Sequence, residues 1–229
     1  MRITVNSKTQ YVQFVALVTV FTLGVCCVAQ AAGPDLSPLR FSARLQGIPF
    51  GDGFDAFMVY AEESTKGLFQ ARIESTPERN ERDKLRVEAQ KRVEQIRGSR
   101  TAFAGQETGY NVSVVGGDFA HHSGESMVIA KIDRIQDYFF FQGDKLWRVV
   151  VSDPSIKEFA AFVVKLTSIY GPPKTIAYRE VEQSRAPYRA VWESGTHNLE
   201  VEQRLDFETV TLRWSLLSIL KGIDASRGK

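Results

Sequence analysis

The chain has 229 residues, 43% of them hydrophobic and 24% charged, a balance that fits a packed globular protein and excludes a disordered one. Its formal net charge of +2 rests on Arg2 and Lys8, so basic and acidic residues are equal in number from residue 9 onward. A neutral surface of this kind gives no electrostatic reason to seek nucleic acid or an anionic membrane.

Arg2 and Lys8 lead into an uncharged apolar run, Phe14–Ala29, and Ala29-Gln30-Ala31 supplies the small-x-small pattern that a signal peptidase cuts after. We expect an export signal over residues 1–31, cleaved near Ala31, and a single α+β domain over 32–229, periplasmic or extracellular. An uncleaved anchor is the alternative, and membrane contact is then confined to this segment; the run is short for a span of about 20 residues. Lipid attachment would need a small residue before the cysteine, but Val25 precedes Cys26 and Cys26 precedes Cys27. Both cysteines fall within the signal, so the remainder has no disulfide, thiol nucleophile or Cys-ligated metal. Roughly 200 residues can bury a core without such staples.

Ala32–Pro38 reads as a loose tail. Phe41, Ala43 and Leu45 alternate with polar residues, which predicts a first strand. A turn at Gly47–Gly51 then leads to a helix from Gly53 to about Lys66, with Gly67 as its stop, and a strand over Leu68–Ile73. Ser75-Thr76-Pro77-Glu78 has the form of a helix start, a Ser cap with Glu three residues on. That helix is expected to reach Arg97, stop at Gly98, and lie on the sheet by one thin stripe: Leu85, Ala89, Val93 and Ile96. Its charged remainder is either a solvated face or a partner-binding surface. Thr101–Thr108 reads as a loop, Tyr110–Val115 as a strand, Gly116-Gly117 as a turn or bulge, and Ser126–Ile132 as a strand.

The organising stretch follows. Tyr138–Phe141 and Lys145–Val151 are runs of aromatic and β-branched residues joined by Gln142-Gly143-Asp144, which predicts a central hairpin. Asp153 and Pro154 can open a helix whose apolar face runs from Ile156 to Ile169, and Gly171-Pro172-Pro173 ends it. Strands at Thr175–Val181, Tyr188–Glu193, Leu199–Leu205 and Val210–Leu216 then form an antiparallel meander with turns at Ser184–Pro187, Ser194-Gly195 and Asp206–Glu208. Ser215–Ile223 closes the chain as a short helix or a continued strand. Phe54-Asp-Ala-Phe57-Met-Val59 echoes Phe159-Ala-Ala-Phe162-Val-Val164. Either a duplication, with sub-units near 39–132 and 133–223, or two helices with the same apolar stripe would produce it.

Gly51-Asp52-Gly53-Phe54-Asp55-Ala56 has the G-x-G-x-x-A form of a dinucleotide turn. The preceding Ile48-Pro49-Phe50 cannot be a buried parallel strand, and Asp52 would set an anion where pyrophosphate must sit. The stretch therefore reads as a turn and cap. His121 and His122, with Asp118 and Glu125 near them in sequence, suggest a general base, but adjacent histidines on a strand face opposite ways and match no zinc spacing. His197 stands alone. Gly124-Glu125-Ser126-Met127-Val128 lacks the second glycine of a nucleophile elbow. Asn111-Val112-Ser113 is a glycosylation sequon in form. Tyr138, Phe139, Phe140, Phe141, Trp147, Trp192 and Trp214 line either a core or an apolar pocket.

Gly47-Ile48-Pro49-Phe50-Gly51, Tyr138–Phe141 with Lys145-Leu146-Trp147, and Tyr170-Gly171-x-Pro173 followed by Trp192 resemble a recurring type of bacterial exported protein of uncharacterised function. The helix-plus-meander units are similar at the level of fold to small envelope modules of the outer-membrane assembly lipoprotein and β-lactamase-inhibitor-protein kind. The chain departs from the first kind by having no usable lipid-attachment cysteine and from the second by having no disulfides. The resemblance implies an envelope location and carries over no catalytic residue.

The expectation is an α+β protein: an antiparallel β-sheet with helices on one face, and two related helix-plus-sheet units as its alternative form. The expected function is an exported binding or interaction protein of the bacterial cell envelope, without cofactor or metal and with an envelope protein as partner. A small apolar ligand or lipid held by the aromatics is the alternative, and a hydrolase built on His121 or His122 the third reading. The residues put forward for ligand or partner contact are His121, His122, Tyr138, Phe140, Trp147, Trp192 and Trp214.

Overall fold

The computed structural model describes residues 34–42, 45–103, 113–116, 118, 124–132, 135–181 and 184–227. Two helices, α1 (Phe54–Ser75) and α2 (Arg79–Gly98), precede the strands β1 (Thr101–Phe103), β2 (Glu125–Ile132), β3 (Ile135–Gln142) and β4 (Lys145–Asp153). A single helix, α3 (Phe159–Tyr170), precedes β5 (Thr175–Val181), β6 (Ser184–Glu193), β7 (His197–Arg204) and β8 (Thr209–Leu216), and α4 (Leu217–Arg227) follows. Each set of four strands is an antiparallel meander. The last strands of the two sets, β4 and β8, pair antiparallel, so one open sheet runs β1-β2-β3-β4-β8-β7-β6-β5. Among the described residues, no helix is long and apolar enough to cross a membrane.

The same plan thus occurs twice, helix first and meander after. The echo noted in the sequence falls on matching places: Phe57 and Met58 of α1 are buried and Val59 exposed, as are Phe162 and Val163 of α3 and its Val164. By element order the first run of helices and strands ends with β4 at Asp153 and the second begins with α3 at Phe159.

Period two on the central strands fills both faces of the sheet. Phe139, Phe141, Val149, Val151, Trp192, Leu199, Val201, Leu212 and Trp214 face α1 and α3 in one cluster. Tyr138, Phe140, Trp147 and Val150 face the other way, with Met127, Phe103 and Val115; Leu216 of β8 and Ile219 and Leu220 of α4 pack against them. The β3–β4 turn is Gly143-Asp144, both residues at positive φ, 52° and 65°. Such a turn matches the right-handed twist of the hairpin, and glycine enters it without Cβ strain.

Several expectations change in the structure. The first helix passes through Gly67 and absorbs Leu68–Ile73, because Phe57, Ala61, Thr65, Phe69 and Ile73 form one i,i+4 row. An exposed mid-helix glycine costs only about 1 kcal/mol against that packing. Ser75 ends α1 instead of capping α2: the Ser75 and Thr76 hydroxyls both donate to the Arg72 carbonyl. Asp153 remains in β4, opposite Val210, and its carboxylate accepts from Ser155 N at 2.9 Å, so α3 begins at Phe159, five residues after the start expected at Pro154. Ser113–Gly116 is a turn, closed by Gly116 N to Ser113 O at 3.0 Å, because Val115 plugs into the second cluster instead of pairing. Thr101–Phe103 pairs with β2 as a short edge strand. Arg185, Ala186 and Pro187 belong to β6; Pro187 lies opposite Tyr178, next to a bulge that relieves the ladder.

The segment expected as a tail and first strand has no strand among its described residues. Leu36 and Leu45 are buried, Phe41 packs on Phe162 and Trp214, and the Tyr170 hydroxyl donates to the Ser37 carbonyl at 3.2 Å. This segment and α3 together cover the helix-side face of the second meander.

Candidate functional site

The most concentrated polar chemistry lies on the face opposite α1 and α3, where β4 and β8 meet. A bulge in the β3–β4 ladder pairs Phe140 with Arg148 and Phe141 with Leu146, which leaves Trp147 as the extra residue and sets it beside Arg148 on one face. The Arg148 guanidinium stacks 4.2 Å from the Trp147 ring centroid. Arg213 of β8 stands opposite Val150. Both arginines converge on Asp118: Arg148 Nη1 donates to its Oδ1 and its carbonyl at 3.0 Å each, and Arg213 Nε donates to Oδ1 at 2.7 Å. Arg148 Nε donates to Ser215 Oγ at 2.9 Å. Outward from there, Arg213 Nη1 meets Glu202 at 2.9 Å and Glu200 at 3.6 Å, and Arg189 Nη2 donates to Glu200 at 2.8 Å. Arg204 Nη1 donates to the Val114 carbonyl at 3.1 Å.

Burial and pairing pull on these charges in opposite directions. Burial lowers the Arg148 guanidinium below its ordinary value, with Asp118 opposing and Arg213 adding to the fall. For Arg213 burial again lowers it, but Asp118, Glu200 and Glu202 outweigh that and hold it above. Burial raises the Glu200 carboxyl, and Arg189 and Arg213 together hold it below the usual range. Three arginines thus face three carboxylates. The geometry ties Val114 and Asp118 to the middle of the sheet, and among the described residues the Ser215 hydroxyl is hydrogen-bonded to Arg148 and to no carboxylate or imidazole. What these contacts build is a clamp. Part of the signal was present in the sequence: Arg148 inside the otherwise apolar run Leu146–Val151 needs buried partners.

Two larger cavities lie elsewhere. One, of about 600 Å3, is a groove between α1 and α2. Phe69, Ile73, Ala89 and Val93 give it an apolar floor, and Glu62, Lys66, Arg86 and Arg97 stand on its rim. Lys66 and Glu62 pair at 2.7 Å with both side chains largely exposed. Phe69 is buried between the guanidinium groups of Arg72 and Arg92, 5.3 and 5.8 Å from its centroid. The other, of about 670 Å3, lies where Pro34–Pro38 and Gly47–Phe50 meet Ser194–His197. There His197 is half-buried, edge-on to Phe50, with Nδ1 2.8 Å from Thr196 Oγ1. Burial lowers its pKa, and Asp35 partly offsets this. A third cavity beside Asp137 and Phe139 holds about 30 Å3, room for little more than a water.

The residues put forward from sequence divide between the two faces. Tyr138, Phe140 and Trp147 are buried on the side of Asp118, where Trp147 Nε1 donates to Glu125 Oε1 at 3.1 Å. Trp192 and Trp214 are buried on the side of α3, and Trp192 Nε1 donates to the Gly171 carbonyl at 2.8 Å. None of the five lines any of the three cavities above. His121 and His122 lie outside the described residues. Among the described residues no cluster of His, Cys, Asp or Glu has the grouping to hold a metal ion. Ser126 faces α2 and accepts from Arg100 Nε at 3.3 Å. No family model matches the chain, and neither does a curated protein or a solved structure.

Proposed function

We propose that the protein is an exported binding or interaction protein of the bacterial cell envelope and that the α1–α2 hairpin is the arm by which it holds its partner. One observation carries the reading: α1 and α2 pack more on each other than on the sheet. On α1 the residues that join the sheet-side cluster lie in its first half, Phe54, Phe57, Met58, Tyr60 and Ala61, and on α2 only Ile96 is buried, with Val93 packed beside it. From Ile96 back to Arg79 is about 25 Å of helix at 1.5 Å per residue. Along it the apolar stripe thins, with Val93, Ala89 and Leu85 only half-buried. A two-helix arm carried this far gains little from the sheet and is held by its own seam, Phe69 above all. What it offers is a surface: an apolar floor inside a charged rim, the anatomy of a protein-binding groove.

Position-specific photo-crosslinking in cells tests this. A crosslinker at Gln90, on the groove, should trap one discrete envelope protein, and one at Lys145, at the start of β4, should not. The reversals Lys66→Glu and Arg86→Glu should remove the adduct without changing export or melting temperature. Equal adducts at both positions, or an adduct that ignores the reversals, would refute the arm as the binding surface.

A further inference from the structure

The sheet has two edges. One is β1, three residues long. The other is β5, seven residues, paired with β6 on its inner side and, among the described residues, carrying no strand on its outer side. An unpaired edge of this length presents a row of backbone donors and acceptors. On the helix side of the sheet it also exposes two large apolar side chains, Ile176 at 36% and Tyr178 at 47%. The Tyr178 ring is held from behind by Arg185, 5.4 Å from its centroid.

The order of residues along this edge is self-complementary. In an antiparallel pair of two identical strands about Ala177, Ile176 stands opposite Tyr178 of the second copy, twice by symmetry. Lys174 stands opposite Glu180, again twice, and on the other face Thr175 stands opposite Arg179 with the small Ala177 pair between. The neighbouring registers match less of the edge. Centring on Tyr178 sets Ile176 against Glu180, and centring on Ile176 sets Glu180 against Pro172. Lys174 reaches Glu193 in its own chain at 2.8 Å, yet its side chain is 58% exposed and its ammonium has donors to spare.

We propose that β5 is a homodimer edge: two copies of this chain pair antiparallel through β5 about Ala177 and join their sheets into one. The occupant of the edge is a second copy rather than a foreign peptide, because apolar and charged side chains both match in the same register. Symmetry of this kind closes, so pairing ends at two copies. The surface is separate from the α1–α2 groove, and either can fail without the other.

Cysteine scanning on the full-length chain, with Cys26→Ser and Cys27→Ser, reads the register directly. Directly opposed residues on antiparallel strands lie about 4.5–5.5 Å apart at Cα, within disulfide reach. Ala177→Cys should therefore give a covalent dimer on mild oxidation. Thr175→Cys should not, since its two copies would stand about 14 Å apart along the strands. Sedimentation should give twice the chain mass for the wild type, and Tyr178→Lys should weaken association roughly tenfold or more. Glu180→Lys should weaken it too, and the pair Lys174→Glu with Glu180→Lys should restore it. A monomer at every concentration would overturn the proposal. A crosslink through Thr175 in place of Ala177 would do so as well, as would a dimer indifferent to Tyr178→Lys.

Discussion

In the first meander, β1 to β4, apolar side chains fill both faces of the sheet; in the second, β5 to β8, they fill one. Tyr138, Phe140, Trp147 and Val150 have no counterpart among Thr209, Thr211, Arg213 and Ser215, which occupy the same face of β8. The difference lies in what each face then requires. An apolar second face must be covered by other parts of the chain, and Val115 and α4 supply that cover. A polar second face can satisfy itself, as Arg213, Glu202, Glu200 and Arg189 do by pairing with one another. The first half is a base covered on both faces that carries the α1–α2 hairpin; the second keeps a polar face and, among the described residues, an edge with no neighbouring strand. Packing on the helix side differs as well. Phe57 meets the rings of Phe54, Tyr60, Phe139 and Phe141, whereas its equivalent Phe162 meets that of Phe41.

The largest expected effect sets the two cores against each other. Phe57→Ala should cost about 4–5 kcal/mol and Phe162→Ala about 3, read from urea midpoints at constant slope. Equal losses would mean that the two halves are packed alike. Asp118→Ala should cost about 3–5 kcal/mol, since it leaves two buried guanidinium groups facing each other; a loss under 1 would show that the clamp does not join the halves. Smaller is the acid limb of stability contributed by Glu200. Its carboxyl is held below the ordinary range in the folded state, so its contribution is present above the unfolded value near 4.3 and disappears as pH falls through the folded one. Glu200→Gln should flatten the fall of the urea midpoint below about pH 4.5, and an unchanged slope would remove Glu200 from the network.

His197 gives the smallest effect. With its folded pKa lowered by burial, the unfolded chain binds the proton more readily, so stability falls as pH drops from about 6.5 through the folded value. Its imidazole resonances should titrate below pH 6.5, and His197→Gln should remove that part of the slope. A midpoint at or above 6.5 would place the ring in water.

The central hairpin, the last four strands and the thin stripe of α2 were legible in the sequence because period two and period 3.6 are local properties. Composition already implied a packed globular core, and the order of the periodic segments an α+β fold. Where local rules misled, a contact distant in sequence decided the outcome. Gly67 reads as a stop until Phe69 and Ile73 find α2. Asp153 reads as a helix cap until Val210 holds it in a strand. Val114 and Val115 read as a strand until the second cluster takes Val115. Trp147 could be named in advance but not assigned to a face, because the bulge there shifts the alternation within β4. Nor could the sequence bring Asp118 to Arg148 and Arg213, which lie 30 and 95 residues away. Only the pairing of β4 with β8 places those charges together. The same pairing sends β5 to the outer edge, since the meander folds back from the centre and its first strand must finish farthest from it.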